Sequence, residues 1–257
     1  KSLQLLLTLP APLEQMLATA RQVAPSLIKL LHRGQAATHE SSLAGTLCQA
    51  FGIEQQLDWP LAPICALAED IKVDAGYWLR LDPVHLEVVM GGLLLRPPGS
   101  LVLSLPEARA LITDINLYWR DEGLAIQALS STRWYLHLPA APNLHTTPLD
   151  QMDGEYLTPH LPRGADARHY LKLINEVQML MHAHPVNLAR ENEGRPAVNG
   201  LWLWGGGNLA DSKVERNTKT TLDRVAGNDF ELHALARHAD CAFSAPPKKL
   251  SEMHATG

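Results

Sequence analysis

The chain has 257 residues with a hydrophobic fraction of 46% and a charged fraction of 19%, ordinary for a globular protein and far from the composition of a disordered one. Twenty-two Lys and Arg against 27 Asp and Glu give a net charge of −5 without any long basic run, which argues against non-specific nucleic-acid binding. Cys48, Cys65 and Cys241 are widely spaced and form no CxxC, so neither a disulfide framework nor a zinc ribbon is expected. No apolar run reaches the roughly 18 residues of a membrane span, and the reading is a soluble, cytoplasmic protein.

Taken in order, Leu3 to Leu9 reads as a buried strand stopped by Pro10 and Pro12. Pro25 opens a helix that Gly34 closes, and Ser41 or Ser42 starts another that runs to Gly52. Leu57 to Pro63 reads as a connection, followed by a short helix to about Asp70. Strand-like runs follow at Tyr77 to Leu81, His85 to Met90 and Leu93 to Leu95. Gly91-Gly92 makes the last two a hairpin. Ser104-Leu-Pro-Glu107 fits a capping box, and the helix behind it carries Ala108, Leu111, Ile112, Ile115 and Trp119 at helical period. Leu124 to Leu129 and Arg133 to Leu138 read as strands, and Pro139 to Pro162 as irregular chain. The strongest helical pattern spans Ala165 to about His182. After a short linker, Gly200 to Trp204 is a strand ending in Gly205, Gly206 and Gly207. Asp211 to Arg224 reads as a loop, Phe230 to Arg237 as a last helix, and the chain from Ser244 as a loose tail. The pattern is α/β with an α+β segment inside it.

The densest cluster of chemically distinctive residues is His182, His184, Asn187, Arg190, Asn199, Trp202, Trp204 and the three glycines Gly205 to Gly207. Arg190 fits a bidentate clamp for a carboxylate or phosphate, with His184, Asn187 and Asn199 orienting it and glycine amides letting an anion come close. The alternative is structural: Asn and His beside Pro satisfy the backbone of a buried turn. Trp202 and Trp204 alternate with leucines, so both indoles share one strand face, as a pocket wall, a core or an interface. His182 and His184 point about 200° apart on a helix and make a poor metal pair. Nothing resembles a GxSxG elbow or an activated cysteine.

The run Leu173-Ile-Asn-Glu-Val-Gln-Met-Leu-Met-His-Ala-His-Pro-Val-Asn187, then Arg190, Gly194 and Val198-Asn-Gly-Leu-Trp-Leu-Trp-Gly-Gly-Gly207, resembles bacterial regulatory proteins of the RpfE type. Asp82-Pro-Val-His-Leu86, Arg133-Trp-Tyr-Leu136 and Thr146-Thr-Pro-Leu149 share that resemblance. The same segment is similar to archaeal-type cofactor-independent phosphoglycerate mutases, in which it closes a substrate domain inserted into an alkaline-phosphatase-like core. The resemblance implies a degenerate core over residues 1–75 and 201–257 with an inserted α+β subdomain over 76–200. Those mutases use a two-metal phosphotransfer centre whose first strand ends in a metal-binding Asp. Here that strand ends Leu7-Thr8-Leu9-Pro10, and no aspartate precedes Asp58. The implied protein is a non-catalytic, regulatory or binding relative with no catalytic residues, cofactor or metal, which holds a small anionic metabolite, a protein partner or a second copy. An active mutase would draw its ligands from Asp70, Asp74, Asp82 and His85.

Overall fold

The computed structural model describes residues 42–211 and 222–246 as a mixed α/β structure. The strand expected at Leu3 to Leu9, the helix from Pro25, and most of the loop after Asp211 lie outside the described residues. The architecture is organised by one long strand, β1 (Tyr77–Val89), whose first eight residues are all buried. Where the sequence reading breaks at Pro83, β1 continues. The Leu81 amide donates to the Trp134 carbonyl, so the amides of the odd-numbered residues face strand β4 (Tyr135–Leu138). That ladder ends at Arg80–Tyr135, so the amide missing from Pro83 falls beyond it and no ladder bond is lost.

β1 pairs antiparallel with β2 (Gly92–Arg96) through the Gly91-Gly92 turn, with β4, and with β5 (Gly200–Gly207); β3 (Ile126–Gln127) adds to β4. The five-stranded sheet is therefore antiparallel throughout. Side chains alternate across it. Tyr77, Leu79, Leu81, Leu201 and Leu203 meet one core, and Trp78, Val84, Leu86, Trp202 and Trp204 meet the other. The first core is closed by α3 (Leu105–Tyr118) and α4 (Ala167–His182), which present Leu111, Ile115, Leu173, Val177 and Met181. The second is closed by α1 (Leu43–Ala50), α2 (Leu61–Ala68) and α6 (Phe230–His238). With both faces covered, β1 and β5 read as near-continuous apolar runs. The segments assigned by resemblance to core and insertion share this sheet, because β5 begins at Gly200 and runs along β1.

Local signals explain the helix ends. Ser42 caps α1 by accepting from the Gly45 amide at 3.0 Å, and the Ser104–Glu107 capping box forms as the pattern requires. Gly123 takes a left-handed φ of 70° after the one-turn extension Trp119–Glu122. Four expectations are corrected. Helix α2 starts at Leu61, so Pro63 lies in its first turn, where its missing amide costs nothing. The linker after His184 is a helix, α5 (Pro185–Asn192), opened by proline at its first position. Arg224, where the expected loop ends, opens β6 (Arg224–Ala226), which pairs in parallel with β7 (Ala242–Ser244), and the first residue of the expected tail, Ser244, closes β7. The strand expected over Leu124 to Leu129 shrinks to two residues. Among the described residues no helix is long and apolar enough to cross a membrane.

Candidate functional site

The polar residues singled out around α5 are turned onto the protein itself. His184 caps α5: its Nδ1 accepts from the Val186 amide at 3.1 Å, which puts the ring proton on Nε2, 3.1 Å from the Asp114 carboxylate. Asn187 donates from Nδ2 to the carbonyls of Met181 and Val198, both at 2.8 Å, and accepts from the Val198 amide at 2.8 Å. It ties the end of α4 to the chain entering β5. Asn199 does the same for β1, accepting from the Leu86 amide and donating to the Leu86 carbonyl. This is the structural alternative, in which amide side chains replace ladder bonds where the backbone turns.

Arg190 is 0% exposed. Its Nε donates to the Pro196 carbonyl at 2.8 Å, its Nη2 to the Leu101 carbonyl, and its Nη1 to Glu107 at 3.0 Å. Glu107 also takes a 3.0 Å bond from Arg195, and the Ser104 and arginine donors hold its carboxyl down to about 2. Three of the five guanidinium N–H groups are thus spent on the protein's own chain, an arrangement that serves the fold. The three glycines close β5 as its last residues, as the sequence reading has it. Residues 78–80 of β1 face one residue more on β5, and the bulge is absorbed at Gly205, whose φ is 66°. A Cβ on Gly206 would come within 2.4 Å of the Tyr77 hydroxyl, and one on Gly207 within 2.3 Å of Pro60. Close packing, not anion approach, demands these residues.

Trp202 and Trp204 do share one face, as the alternation predicts. Trp202 is a core residue whose indole N–H donates to the Thr147 carbonyl at 2.9 Å. Trp204 donates to Asp82 at 2.9 Å and lines a cavity. The feature beneath that cavity was open to sequence reasoning and was missed: Arg80 and Asp82 are two apart in an otherwise apolar strand, hence on the same face. They form a fully buried bidentate pair, Nε to Oδ1 at 3.0 Å and Nη2 to Oδ2 at 2.7 Å. The guanidinium carbon lies 4.9 Å from the Trp204 ring centroid and 5.4 Å from that of Tyr135. Asp82 also accepts from the Trp134 amide at 3.2 Å. Burial raises the Asp82 carboxyl, and the Arg80 charge opposes that rise; the pair is best read as ionised and mutually neutralising.

The cavity above this pair has a volume of about 500 Å³. Its apolar wall is built from Leu43, Ala44 and Leu47 of α1, Pro97, Pro98, Leu149, Trp204 and Phe230. Its polar wall holds Asp82, Asp150, Asp153, Asp229 and Glu231 against Arg80 and Arg133. Arg80 reaches Glu231 at 3.2 Å, while Arg133 pairs with Glu69 and stacks 3.9 Å from the Phe230 ring centroid. Asp150 accepts from the Leu43 amide at 2.6 Å and Asp229 from the Leu232 amide at 3.1 Å, each at the N-terminus of a helix. Burial and the neighbouring Glu231 push the Asp229 carboxyl up to about 6.

The four acids and bases named for an active metal site do not converge. Asp70 pairs with Arg237 at 2.7 Å, Asp74 with Lys72 at 2.9 Å, and His85 donates from Nδ1 to the Ala197 carbonyl at 2.8 Å. Asp82 is enclosed by Arg80, Trp134 and Trp204. Among the described residues no three His, Cys, Asp or Glu side chains form a group able to hold a metal ion.

No family model matches the chain. Over 110 residues it is 33% identical to a 2,3-bisphosphoglycerate-independent phosphoglycerate mutase of Methanosarcina mazei, a stretch that is 41% of this chain and 27% of that protein. The same enzyme of Methanosarcina acetivorans is 34% identical over 110 residues, again 41% of this chain and 27% of the relative. Among solved structures, a cofactor-independent phosphoglycerate mutase of Thermoplasma acidophilum superposes with a TM-score of 0.45 at 17% identity, covering 79% of this chain and 57% of that one. The matches thus take in about a quarter of the length of these curated relatives. The chain is distantly similar to cofactor-independent phosphoglycerate mutases of the archaeal type.

Proposed function

We propose that this chain is a non-catalytic relative of those mutases, a regulatory or binding protein of the RpfE type, whose ligand seat is the cavity above Arg80 and Asp82. In this reading the fold is a degenerate alkaline-phosphatase-like core carrying an inserted α+β subdomain. One observation carries the proposal: most of the carboxylates around the cavity are already engaged. Asp82 is held by Arg80 and two N–H donors, Glu231 by Arg80, and Asp150 and Asp229 by the amides that open α1 and α6. A two-metal phosphotransfer centre needs carboxylates whose oxygens are turned together toward the ions. These are turned toward a guanidinium and two helix ends.

The test is a coupled assay of the full chain with 3-phosphoglycerate in the presence of manganese or cobalt, with metal content measured in parallel. The expected result is a rate no higher than that without protein. Turnover that follows stoichiometric metal would overturn the proposal and favour an active mutase.

A further inference from the structure

The atom that caps α5 is one that takes up a proton. Pro185, at the first position, has no amide, and the Leu188 amide bonds the His184 carbonyl at 3.1 Å, so the Val186 amide relies on the His184 ring. Nδ1 accepts that bond only while it carries no proton. The imidazole is 6% exposed, and Asp114, 3.1 Å from Nε2, anchors its far side in either protonation state. What protonation changes is the Nδ1 side: two N–H groups then face each other, and a positive charge stands at the positive end of the helix. Helix α5 packs on α3 and α4. From α3 the ring meets Asp114, with the exposed Tyr118 a turn further on, while Arg109 lines a separate groove and Glu107 is held by Arg190. From α4 comes the exposed His182, Lys172 and Glu176 being paired with each other further back. On α5 itself the charged groups are Arg190 and the exposed Glu191, more than a turn away.

We propose that His184 is a proton-sensitive latch: its neutral ring closes the first turn of α5, and its protonation opens that turn and loosens what α5 holds. Asn187 ties the end of α4 to the entry of β5, and Arg190 holds the Leu101 carbonyl. The Leu101 amide in turn bonds the Pro98 carbonyl at 3.1 Å, and Pro97, Pro98 and Gly99 form part of the cavity wall. The latch thus reaches the cavity through a continuous line of hydrogen bonds. It stands apart from the reading of the chain as non-catalytic and from whatever the cavity binds.

Amide hydrogen exchange of the full chain tests the proposal at about pH 7.5 and about pH 5.5, on either side of the ordinary histidine range, with protection factors used to remove the intrinsic effect of pH. Expected in the parent is a fall in protection of about threefold or more at Val186 and Asn187 on acidification, the ratio that a lost N-cap produces. The Ser100 and Leu101 amides fall with them. H184N caps the helix at either pH and shows no fall, while H182N behaves as the parent. An equal fall in H184N and the parent, no fall in the parent, or a fall abolished by H182N overturns the latch. Unchanged protection at Ser100 and Leu101 overturns its link to the cavity wall. If H184N does not fold, long-range proton–nitrogen spectra of the parent decide the matter. They are expected to show His184 protonated on Nε2 at neutral pH, with the Val186 amide shift following its titration. A proton on Nδ1 at neutral pH, or a Val186 amide indifferent to that titration, overturns the proposal.

Discussion

Replacing Arg190 with methionine, a chain of similar reach, separates a fold lock from a ligand clamp. The guanidinium is 0% exposed and donates to the carbonyls of Pro196 and Leu101 and to Glu107. Methionine fills the space but donates nothing, so the buried Leu101 carbonyl loses a partner that water cannot replace, while the carbonyl of the exposed Pro196 turns to solvent. Leaving that one buried carbonyl unpaired costs about 1–3 kcal/mol, which puts the substitution near 2–3 kcal/mol. Glu107 keeps its bonds from Ser104 and Arg195, so its share is smaller. Against a total stability of about 5–15 kcal/mol the loss is large. Urea unfolding followed by tryptophan fluorescence measures it as a lower midpoint with unchanged slope. The same variant, titrated with phosphoglycerates under native conditions, shows no selective loss of affinity. A variant within 1 kcal/mol of the parent that has lost a ligand would refute the reasoning and restore the clamp.

The Arg80–Asp82 pair behaves differently when broken than when removed. Asp82→Asn leaves a buried guanidinium short of its counter-ion and costs about 3–5 kcal/mol, whereas the double change R80M/D82L is expected to recover most of it in the same unfolding assay. Gly206→Ala forces a methyl to within 2.4 Å of the Tyr77 hydroxyl and lowers stability by about 1–3 kcal/mol, read as a fall in Tm; an unchanged Tm would mean that Tyr77 is not packed there. Asp229 ordinarily titrates near 3.8 and is pushed up to about 6 in the fold, so the folded state binds the extra proton between those values. Stability therefore declines as pH rises through that window and levels off above it, and Asp229→Asn flattens the decline in pH-resolved unfolding.

The elements legible in the sequence were those whose signals are local. The capping box at Ser104, the Gly91-Gly92 hairpin and the helical period of Ala165 to His182 each involve residues a few positions apart, and each is in place. The misses came from partners distant in the chain. Pro83 is compatible with a strand interior only because the β4 ladder stops at residue 80 of β1, which no window around Pro83 reveals. Gly205 to Gly207 end β5 as read, but the reason they are glycines was not local. Here Tyr77 and Pro60, far away in the chain, require the missing side chains. Asn187, Arg190 and Asn199 look like a site for a related reason: donors with fixed geometry serve a bound anion and an unpaired backbone equally well.

The cavity is the sharper case, since its acids come from three separate stretches of chain. Asp82 lies on β1, Asp150 and Asp153 lie between β4 and α4, and Asp229 and Glu231 open α6. None forms a motif with its neighbours, and only Arg80-x-Asp82 breaks local expectation, as a charge pair within an apolar strand. Burying that pair fixes the floor of the cavity: Arg80 neutralises Asp82 below and Glu231 at the rim, and its ring neighbours prevent it from swinging toward Asp150 or Asp229. The internal cation is thus fully engaged by the protein's own carboxylates. That neutralised floor arises from the sheet geometry that sets residues 80 and 82 on one face of β1.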